Sequence, residues 1–130
     1  MSNPLDDFEL DPTQIMLNRD GELPLIYWPV TPNFGDLLSP WLFNKMTGLP
    51  VSAVKNKVRS KLFNLPYLSR ANREPNYVGI GSIISRVKDK SVVWGAGSFG
   101  TEQLSQLNTR ADYRAVRGPL TRSLLKNAGI

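Results

Sequence analysis

The sequence predicts an α/β fold, a Rossmann-like and mostly parallel sheet with helices on both faces. Short apolar runs alternate along the chain with segments of helical spacing, which is typical of a parallel sheet built from strand-helix units. Small, glycine-containing corners follow the apolar runs. In open α/β sheets such corners lie at the carboxyl ends of the strands.

The first strand-turn-helix unit shows this pattern most clearly. Leu23 to Val30 is a nearly continuous apolar run, as in a strand that is buried on both faces. Pro24 and Pro29 are expected to flank its paired centre, because proline has no amide hydrogen to donate. Asp36 to Thr47 then has apolar residues at helical spacing, and Gly48 is placed to end that helix.

The remaining elements continue the alternation. The predicted strands are Leu49–Val54, Asn76–Ile84, Ser91–Trp94 and Tyr113–Val116, and the predicted helical segments are 54–65, 101–107 and Pro119–Asn127. Pro119 suits the first turn of the last helix and Gly129 suits its end. Trp28, Trp41 and Trp94 are expected in the core, Trp41 above all, while Trp94 is also placed to stack on a sugar ring.

The chain has the length of one domain. At 130 residues it is long enough to bury a core and too short for two full lobes. Residues 1–20 are acidic and lack periodicity, so we expect a flexible or loosely attached arm without chemistry. Residues 21–130 form the predicted Rossmann-like lobe, and a second lobe is absent from this sequence.

Composition excludes several kinds of chemistry. The chain contains no cysteine and no histidine, so its own residues cannot supply a thiolate nucleophile, a disulfide or the commonest zinc site. We therefore expect no metal site. No apolar run approaches the roughly 18 residues of a membrane-spanning helix, and residues 1–12 do not form a basic-then-apolar signal. These features predict a cytoplasmic protein.

The positive charge is concentrated in one segment. The net charge is +5, and residues 55–73 contain six basic residues and no acidic ones. The stretch Lys55–Leu65 predicts a basic amphipathic helix that docks on an anionic membrane surface or packs on the core with a solvated charged rim. Nucleic acid is not an expected partner, because the segment lacks a recognisable reading motif.

Four corners carry the candidate site. In chain order they are Asn33-Phe34-Gly35-Asp36, Gly79-Ile80-Gly81-Ser82, Val93-Trp94-Gly95-Ala96-Gly97 and Arg117-Gly118-Pro119-Leu120-Thr121-Arg122. This set resembles the polysaccharide pyruvyl transferases, and the segment 27–32 looks most like the branch that decorates bacterial exopolysaccharides such as succinoglycan. The resemblance spans Leu23 to Ile130.

The resemblance implies a fold similar to the N-terminal, acceptor-side lobe of the two-lobed GT-B glycosyltransferases. It also implies an enzyme of exopolysaccharide biosynthesis that moves the enolpyruvyl unit of phosphoenolpyruvate onto a sugar as a ketal, without a cofactor. Family members continue into a second lobe that is expected to bring a histidine and arginines, and this chain has no histidine. Alone it is therefore expected to be inactive. Its implied partners are phosphoenolpyruvate, a saccharide acceptor that can be lipid-linked, and the missing lobe or a partner chain.

Within this reading, Asp36 is the candidate catalytic residue. It lies at a helix N-terminus, where an ionised carboxylate is favoured, and it would orient or deprotonate a sugar hydroxyl. The alternative is that Asp36 or Asn33 only caps the helix. Asn33 and Ser82 are candidate acceptor contacts. Arg117, before a helix N-terminus, would hold a phosphate or carboxylate, or alternatively pair with Asp112.

The remaining candidates are backbone sites and first-turn residues. They are Gly35, Gly81, Gly95, Gly97, Gly118 and Thr121. Glycines at these corners would let backbone approach a sugar, or would simply pack a strand tightly against a helix.

Two other function classes stay open. The chain is alternatively a non-catalytic sugar-binding or assembly module. A nucleotide-sugar or dinucleotide enzyme is a further alternative, because Gly95 to Gly100 has the glycine spacing of a dinucleotide loop. Against it, the next helical piece is short and the next strand ends at Arg117 without a ribose-binding acid.

Overall fold

The structure is a computed structural model that describes residues 15–28, 33–54 and 74–130. The described elements are β1 (Leu23–Ile26), α1 (Phe34–Thr47), β2 (Val51–Ala53), β3 (Asn76–Val78), β4 (Ser91–Ala96), β5 (Asp112–Val116) and α2 (Gly118–Asn127). The five strands form one sheet in the order β2-β1-β3-β4-β5, and every neighbouring pair is parallel. The predicted α/β, Rossmann-like fold is confirmed.

Helices cover both faces of the sheet, as predicted. On one face, called here the α1 face, Phe43 of α1 packs with Leu23 and Leu25 of β1. On the opposite face, the α2 face, Leu125 of α2 belongs to a larger buried cluster that includes Ile26. Leu25 and Ile26 lie on different faces because successive side chains of a strand alternate. The core is therefore two apolar layers with the sheet between them.

Capping explains the bounds of α1. Asn33 has an extended backbone, and its Oδ1 accepts a hydrogen bond from the amide of Gly35 at 2.8 Å. At the other end Gly48 has φ of 69°, and its amide donates to the carbonyl of Asn44. A left-handed residue at this position favours glycine, which confirms Gly48 as the stop.

Pro40 lies inside α1, in its second turn. A proline at this position cannot donate the helical hydrogen bond to the carbonyl four residues earlier, which is that of Asp36. The helix continues across this position because Ser39 and Phe43, one turn apart, are buried against the sheet.

Pro24 lies inside β1 rather than beyond its paired residues, since it pairs with Ser52 of β2. The amide of Leu23 points towards β2, where it donates to the carbonyl of Pro50. The nitrogen of Pro24 therefore points the other way, towards β3. The register between β1 and β3 begins one residue later, at Leu25 and Tyr77, so no ladder bond is lost.

Several predicted elements are shorter in the structure, and two of them change most. The strand predicted over Asn76–Ile84 ends at Val78, and a single turn of 3-10 helix occupies Ile84–Arg86. The helical piece predicted over 101–107 is one 3-10 turn at Leu104–Gln106. Glycines at 79 and 81 interrupt the β3 pattern, so its last apolar residues belong to a turn. The last helix ends as predicted, with Gly129 at φ of 81°.

The end of the acidic segment is attached to the sheet. Ile15 packs against the α1-face cluster, and the amide of Met16 donates to the Tyr77 hydroxyl at 2.9 Å. Residues 1–14 lie outside the described part of the chain, and so does the predicted basic helix Lys55–Leu65. Within the described residues, no helix has both the length and the apolar character needed to cross a bilayer.

The prediction that Trp41 is in the core is wrong. Its side chain is 55% exposed on α1, and Trp94 is 40% exposed on β4. The apolar spacing of α1 extends around more of the helix than the sheet covers, so periodicity alone does not identify the buried side. Trp28 is half-buried, with the Arg86 guanidinium carbon 4.2 Å from its ring centroid.

Candidate functional site

The candidate site lies at the carboxyl edge of the sheet. All five strands are parallel, so the segments that follow β1, β3, β4 and β5 share this edge. The strand order reverses between β1 and β3, because the chain first adds β2 on one side and later adds β3 to β5 on the other. In open α/β sheets ligands bind in the crevice at this reversal. The first two predicted corners flank that crevice.

Asn33, rather than Asp36, caps α1. The Asn33 side chain holds the amide of Gly35, so both groups are already used in the cap. Asp36 follows in the first turn of α1, where the free amides and the helix dipole favour a carboxylate. No hydrogen bond to its carboxylate comes from the described residues, and the group is half-buried. The alternative that Asp36 is merely the cap therefore loses its geometric basis.

Close packing fixes the corner after β3 against α1. A Cβ atom at Gly79 would lie 1.8 Å from Oγ of Ser39, so only glycine fits there. The buried Ser39 hydroxyl accepts a hydrogen bond from the amide of Ile80 at 3.0 Å. This contact positions the backbone that leads into Gly81 and Ser82.

Gly81 brings this corner next to Asp36. Its φ is 140°, and a Cβ atom there would lie 3.4 Å from Oδ1 of Asp36. The Gly81 carbonyl accepts from the amide of Gly97 at 2.8 Å, and Gly81 forms an isolated parallel bridge with Ala96. The corners after β1, β3 and β4 are therefore in direct contact.

Arg117 joins the corners after β3, β4 and β5. Its Nη2 donates to Oγ of Ser82 at 2.8 Å and to the carbonyl of Ser98 at 2.9 Å. A Cβ atom at Gly97 would lie 2.5 Å from Nε of Arg117, so the guanidinium rests directly on the Gly97 backbone. Asp112 instead pairs with Arg114 at 2.7 Å. Within the described chain Nε and Nη1 of Arg117 have no hydrogen-bond partner.

A carboxylate already occupies the amides of the loop after β4. Glu102 accepts from the amides of Phe99 at 2.9 Å and Gly100 at 3.1 Å, and from the Ser98 hydroxyl. Desolvation opposes ionisation of Glu102, but the hydrogen bonds from Ser98 and from the loop amides outweigh it and lower its pKa. The amides of Phe99 and Gly100 therefore already have an acceptor within the same loop, the Glu102 carboxylate.

Three further predicted residues have structural surroundings. Thr121 is only 3% exposed, and its Oγ1 accepts from the amide of Ser98 at 3.2 Å. Gly95 lies inside β4 at an irregularity in the pairing with β5, facing Ile80. Gly118 begins α2 with φ of 79° and has open space around it. Thr121 and Gly95 therefore hold the edge together rather than line its open side.

The open side of the edge also presents apolar side chains. The corners after β1, β4 and β5 each expose one of them, namely Phe34, Phe99 and Leu120. Within the described residues, no group of three or more acidic, histidine or cysteine side chains is arranged to hold a metal ion.

Comparison with known proteins adds no relative. No family model matches the sequence, no curated protein matches it, and no solved structure matches. The interpretation of the site therefore depends on its own geometry and on the sequence motifs.

The sequence reasoning missed two residues that shape the site. The sequence pattern predicts Ser39 only as part of a helix, although a small polar residue on α1 opposite a glycine corner indicates close helix-strand packing. Glu102 was not considered, although it is an acid placed at the end of a glycine-containing loop with unpaired amides. The Ser39 contact joins α1 to a corner far away in sequence, which a local pattern does not reveal, whereas the Glu102 contacts lie within one loop.

Proposed function

We propose that this chain is the acceptor-side lobe of a pyruvyl transferase that acts on surface or exopolysaccharide saccharides. The donor is phosphoenolpyruvate, and the reaction places its pyruvyl carbon on two sugar hydroxyls as a ketal. The proposal rests on the resemblance of the four corners and on one geometric observation. Asp36 and Arg117 both reach the Gly81-Ser82 corner at the strand-order reversal.

The proposed reaction needs a base and an anion-binding group near each other, and Asp36 and Arg117 would supply them at the carboxyl edge of the sheet. A proton adds to the methylene of phosphoenolpyruvate, and one sugar hydroxyl attacks the resulting cationic carbon. A second sugar hydroxyl then displaces phosphate. Of the two protons that the hydroxyls lose, one balances the proton added to the methylene and the other leaves with the phosphate. Asp36 would take a hydroxyl proton, which is the role of a general base. The general acid is not assigned to a residue of this chain.

Arg117 would hold an anionic group of the donor. Two of its nitrogen atoms, Nε and Nη1, remain free of described partners, while Nη2 is held by Ser82 and Ser98. Both bidentate edges of a guanidinium include Nη2, so a phosphate or carboxylate here would be held by separate charge-assisted hydrogen bonds from Nε and Nη1. Ser82 would contact the acceptor through the hydroxyl that Arg117 orients.

The proposed location is the cytoplasmic side of the membrane, where phosphoenolpyruvate is available. A lipid-linked acceptor would then be met at the inner membrane face. The basic segment Lys55–Leu65 would supply the peripheral contact.

The test compares Asp36→Asn with Asp89→Asn, an exposed acid just before β4 at the opposite edge. The chain is supplied with a second lobe, and phosphate release from phosphoenolpyruvate is measured with a saccharide acceptor. Asp36→Asn should reduce the rate by about a hundredfold or more, because a general base is lost. Its unfolding free energy should change by less than about 1 kcal/mol, the size of a helix-dipole interaction.

Asp89→Asn should leave the rate unchanged. An unchanged rate in Asp36→Asn, together with a lowered unfolding midpoint, would show that Asp36 serves the helix only.

A sugar-binding module without transfer activity is the second candidate. The exposed rings of Phe34 and Phe99 on the rim favour it, since aromatic rings offer large contact surfaces with little loss of conformational entropy. Saccharide binding that persists with no phosphate release in any lobe combination would support this candidate.

The dinucleotide alternative has less support. A pyrophosphate needs the backbone amides of the glycine loop, and here Glu102 already accepts from those of Phe99 and Gly100. NADPH is expected not to quench tryptophan fluorescence at micromolar concentration.

A further inference from the structure

One peptide group of the loop after β4 lies between two opposite charges. It joins Ser98 to Phe99. Its amide donates to Oε1 of Glu102 at 2.9 Å, and its carbonyl accepts from Nη2 of Arg117, also at 2.9 Å. The two ends of a single peptide group are therefore hydrogen-bonded to a carboxylate and to a guanidinium.

The geometry of the peptide group places these charges on opposite sides of it. The bond is trans, and the atoms of a peptide group lie in one plane, so its N–H and C=O point in opposite directions. The carboxylate lies at the positive end of the peptide dipole and the guanidinium at the negative end. Each charge polarises the group in the direction that strengthens the hydrogen bond at the other end.

The peptide group is the link between the two side chains. Glu102 and Arg117 do not form a salt bridge with each other, and neither has such a partner elsewhere in the described residues. The hydroxyl of Ser98 donates to Glu102, but within the described chain it has no hydrogen bond with the guanidinium. A change at the carboxylate therefore reaches the arginine through the backbone.

Other contacts hold the loop in the orientation that this link needs. The amide of Ser98 donates to the buried Oγ1 of Thr121 at 3.2 Å. The amide of Gly100 donates to Oε2 of Glu102 at 3.1 Å, so both carboxylate oxygens are engaged. The absence of a side chain at Gly97 lets the guanidinium rest on the backbone beside Ser98. A rotation of the peptide plane would break the hydrogen bonds at both of its ends together.

We infer that Glu102 is a positioning residue for Arg117 and acts through the Ser98–Phe99 peptide group. Its carboxylate fixes the peptide plane, and the carbonyl of that plane holds Nη2, which leaves Nε and Nη1 for an anion. The anion-binding role of Arg117 rests on the proposed function, whereas the coupling between the two side chains does not. Such coupling is reciprocal, so Arg117 also acts on Glu102.

The test is NMR of the full chain without substrate. Glu102→Ala should move the 15Nε resonance of Arg117 and the carbonyl 13C resonance of Ser98, because the N–H end of the peptide group is released. Glu102→Gln should move them less, since its amide oxygen can still accept from Phe99 without the charge. Ser98→Ala is the matched control. It removes the hydroxyl contact but keeps both hydrogen bonds of the peptide group, so the Arg117 resonance should move least.

The reciprocal measurement starts from the arginine. The pKa of Glu102 is lowered in the folded chain, and its 13Cδ resonance reports that pKa. Arg117→Met should raise it, because the N–H end of the peptide group becomes a weaker donor to the ionised carboxylate. A through-space effect between the two charges would have the same sign, but it is screened at about 1 M NaCl, where the Debye length is about 3 Å. The rise should persist at that salt concentration.

Turnover separates this inference from the proposed function. With a second lobe supplied, Glu102→Gln should lower kcat/KM for phosphoenolpyruvate by about fivefold, the lower end of common coupling between sites. The loss should appear mainly in KM, because a less firmly held Arg117 weakens binding in the ground state and the transition state alike. Absence of phosphate release in every lobe combination would contradict the proposed function and leave the NMR result unaffected.

Three results would overturn the inference. One is an Arg117 resonance that stays in place in both Glu102 variants while the Phe99 amide moves, which would confine Glu102 to its own loop. Another is an equal response to Ser98→Ala and Glu102→Ala, which would assign the coupling to the hydroxyl. The third is a Glu102 pKa that ignores Arg117→Met, or whose rise disappears in salt.

Discussion

Gly79 and Gly97 end neighbouring strands of the same sheet, yet different groups rest against them. At the end of β3, a serine of α1 occupies the space where a Gly79 side chain would be. At the end of β4, the guanidinium of Arg117 occupies the corresponding space at Gly97. Gly79 lets α1 pack closely on the sheet, and Gly97 lets the Arg117 guanidinium lie against the backbone at the carboxyl edge. Two similar sequence signals thus serve packing in one place and the candidate site in the other.

The largest expected effect is at Gly79. Gly79→Ala places a methyl group 1.8 Å from the Ser39 hydroxyl oxygen and 3.2 Å from the Phe43 ring, both in buried side chains. Displacing Ser39 would break its hydrogen bond with the Ile80 amide, so we expect a loss of about 3 kcal/mol in unfolding free energy. Urea unfolding followed by circular dichroism measures this loss.

Gly35→Ala provides the matched control for that substitution. Its new methyl group would meet Asn33 Oδ1 at 3.4 Å, an ordinary contact, in the first turn of a helix. It should leave stability within about 1 kcal/mol, because alanine favours helix. Equal stability of the two variants would contradict the close packing at Gly79.

Gly97→Ala should have a small effect on folding stability and a larger effect on function. Its methyl group would displace the end of a flexible, exposed arginine, so stability should fall by less than about 1 kcal/mol. The proposed anion contact of Arg117 should be lost, and hydrogen bonds to charged groups contribute about 1.5–3 kcal/mol. The KM for phosphoenolpyruvate should therefore rise by about tenfold to a hundredfold with the second lobe supplied.

Arg117→Lys is the companion variant for Gly97→Ala, since lysine cannot reproduce the planar guanidinium contacts. The two variants should raise the KM by similar factors, and the double variant should add little. The 15Nε resonance of Arg117 should also move in Gly97→Ala. A resonance that stays in place would show that Gly97 does not position the arginine.

The smallest expected effect concerns the loop that follows Gly97. The pKa of Glu102 is lowered in the folded chain, so its stabilising hydrogen bonds are complete above the ordinary glutamate pKa of about 4.3. They should be lost as pH falls through the lower, folded value. The protection of the Phe99 and Gly100 amides from hydrogen exchange, relative to the intrinsic rate, should therefore decrease on acidification, and Glu102→Gln should remove this pH dependence. Exchange that is independent of pH after correction for the intrinsic rate would contradict the role of Glu102.

Much of the fold could be predicted because its signals are local. Apolar runs, helical spacing and the left-handed glycine at 48 identified the strand-helix units and the end of α1. The order of the strands was not predicted, since pairing joins residues far apart in sequence. Trp41 was misplaced for a related reason, because the width of the sheet decides how much of a helix surface is covered.

The candidate site was predictable only in outline. Four corners at the carboxyl ends of parallel strands must share one edge, and that much follows from the sequence pattern. Which glycine faces Asp36 and which faces Arg117 depends on the strand register and on side chains that cross between loops. Thr121 illustrates this dependence, because its position in the first turn of α2 did not indicate that its hydroxyl would be buried against Ser98.

The reversal of strand order has a mechanical consequence. β1 and β2 lie on one side of the crevice, and β3 to β5 lie on the other, so the crevice divides the strands into an earlier and a later half. A ligand that touches both Asp36 and Arg117 bridges these halves and opposes their separation during unfolding. At a concentration one hundred times its Kd, such a ligand adds about 2.7 kcal/mol to the free energy of unfolding. Thermal melting can therefore be used to screen candidate ligands before any turnover is detected.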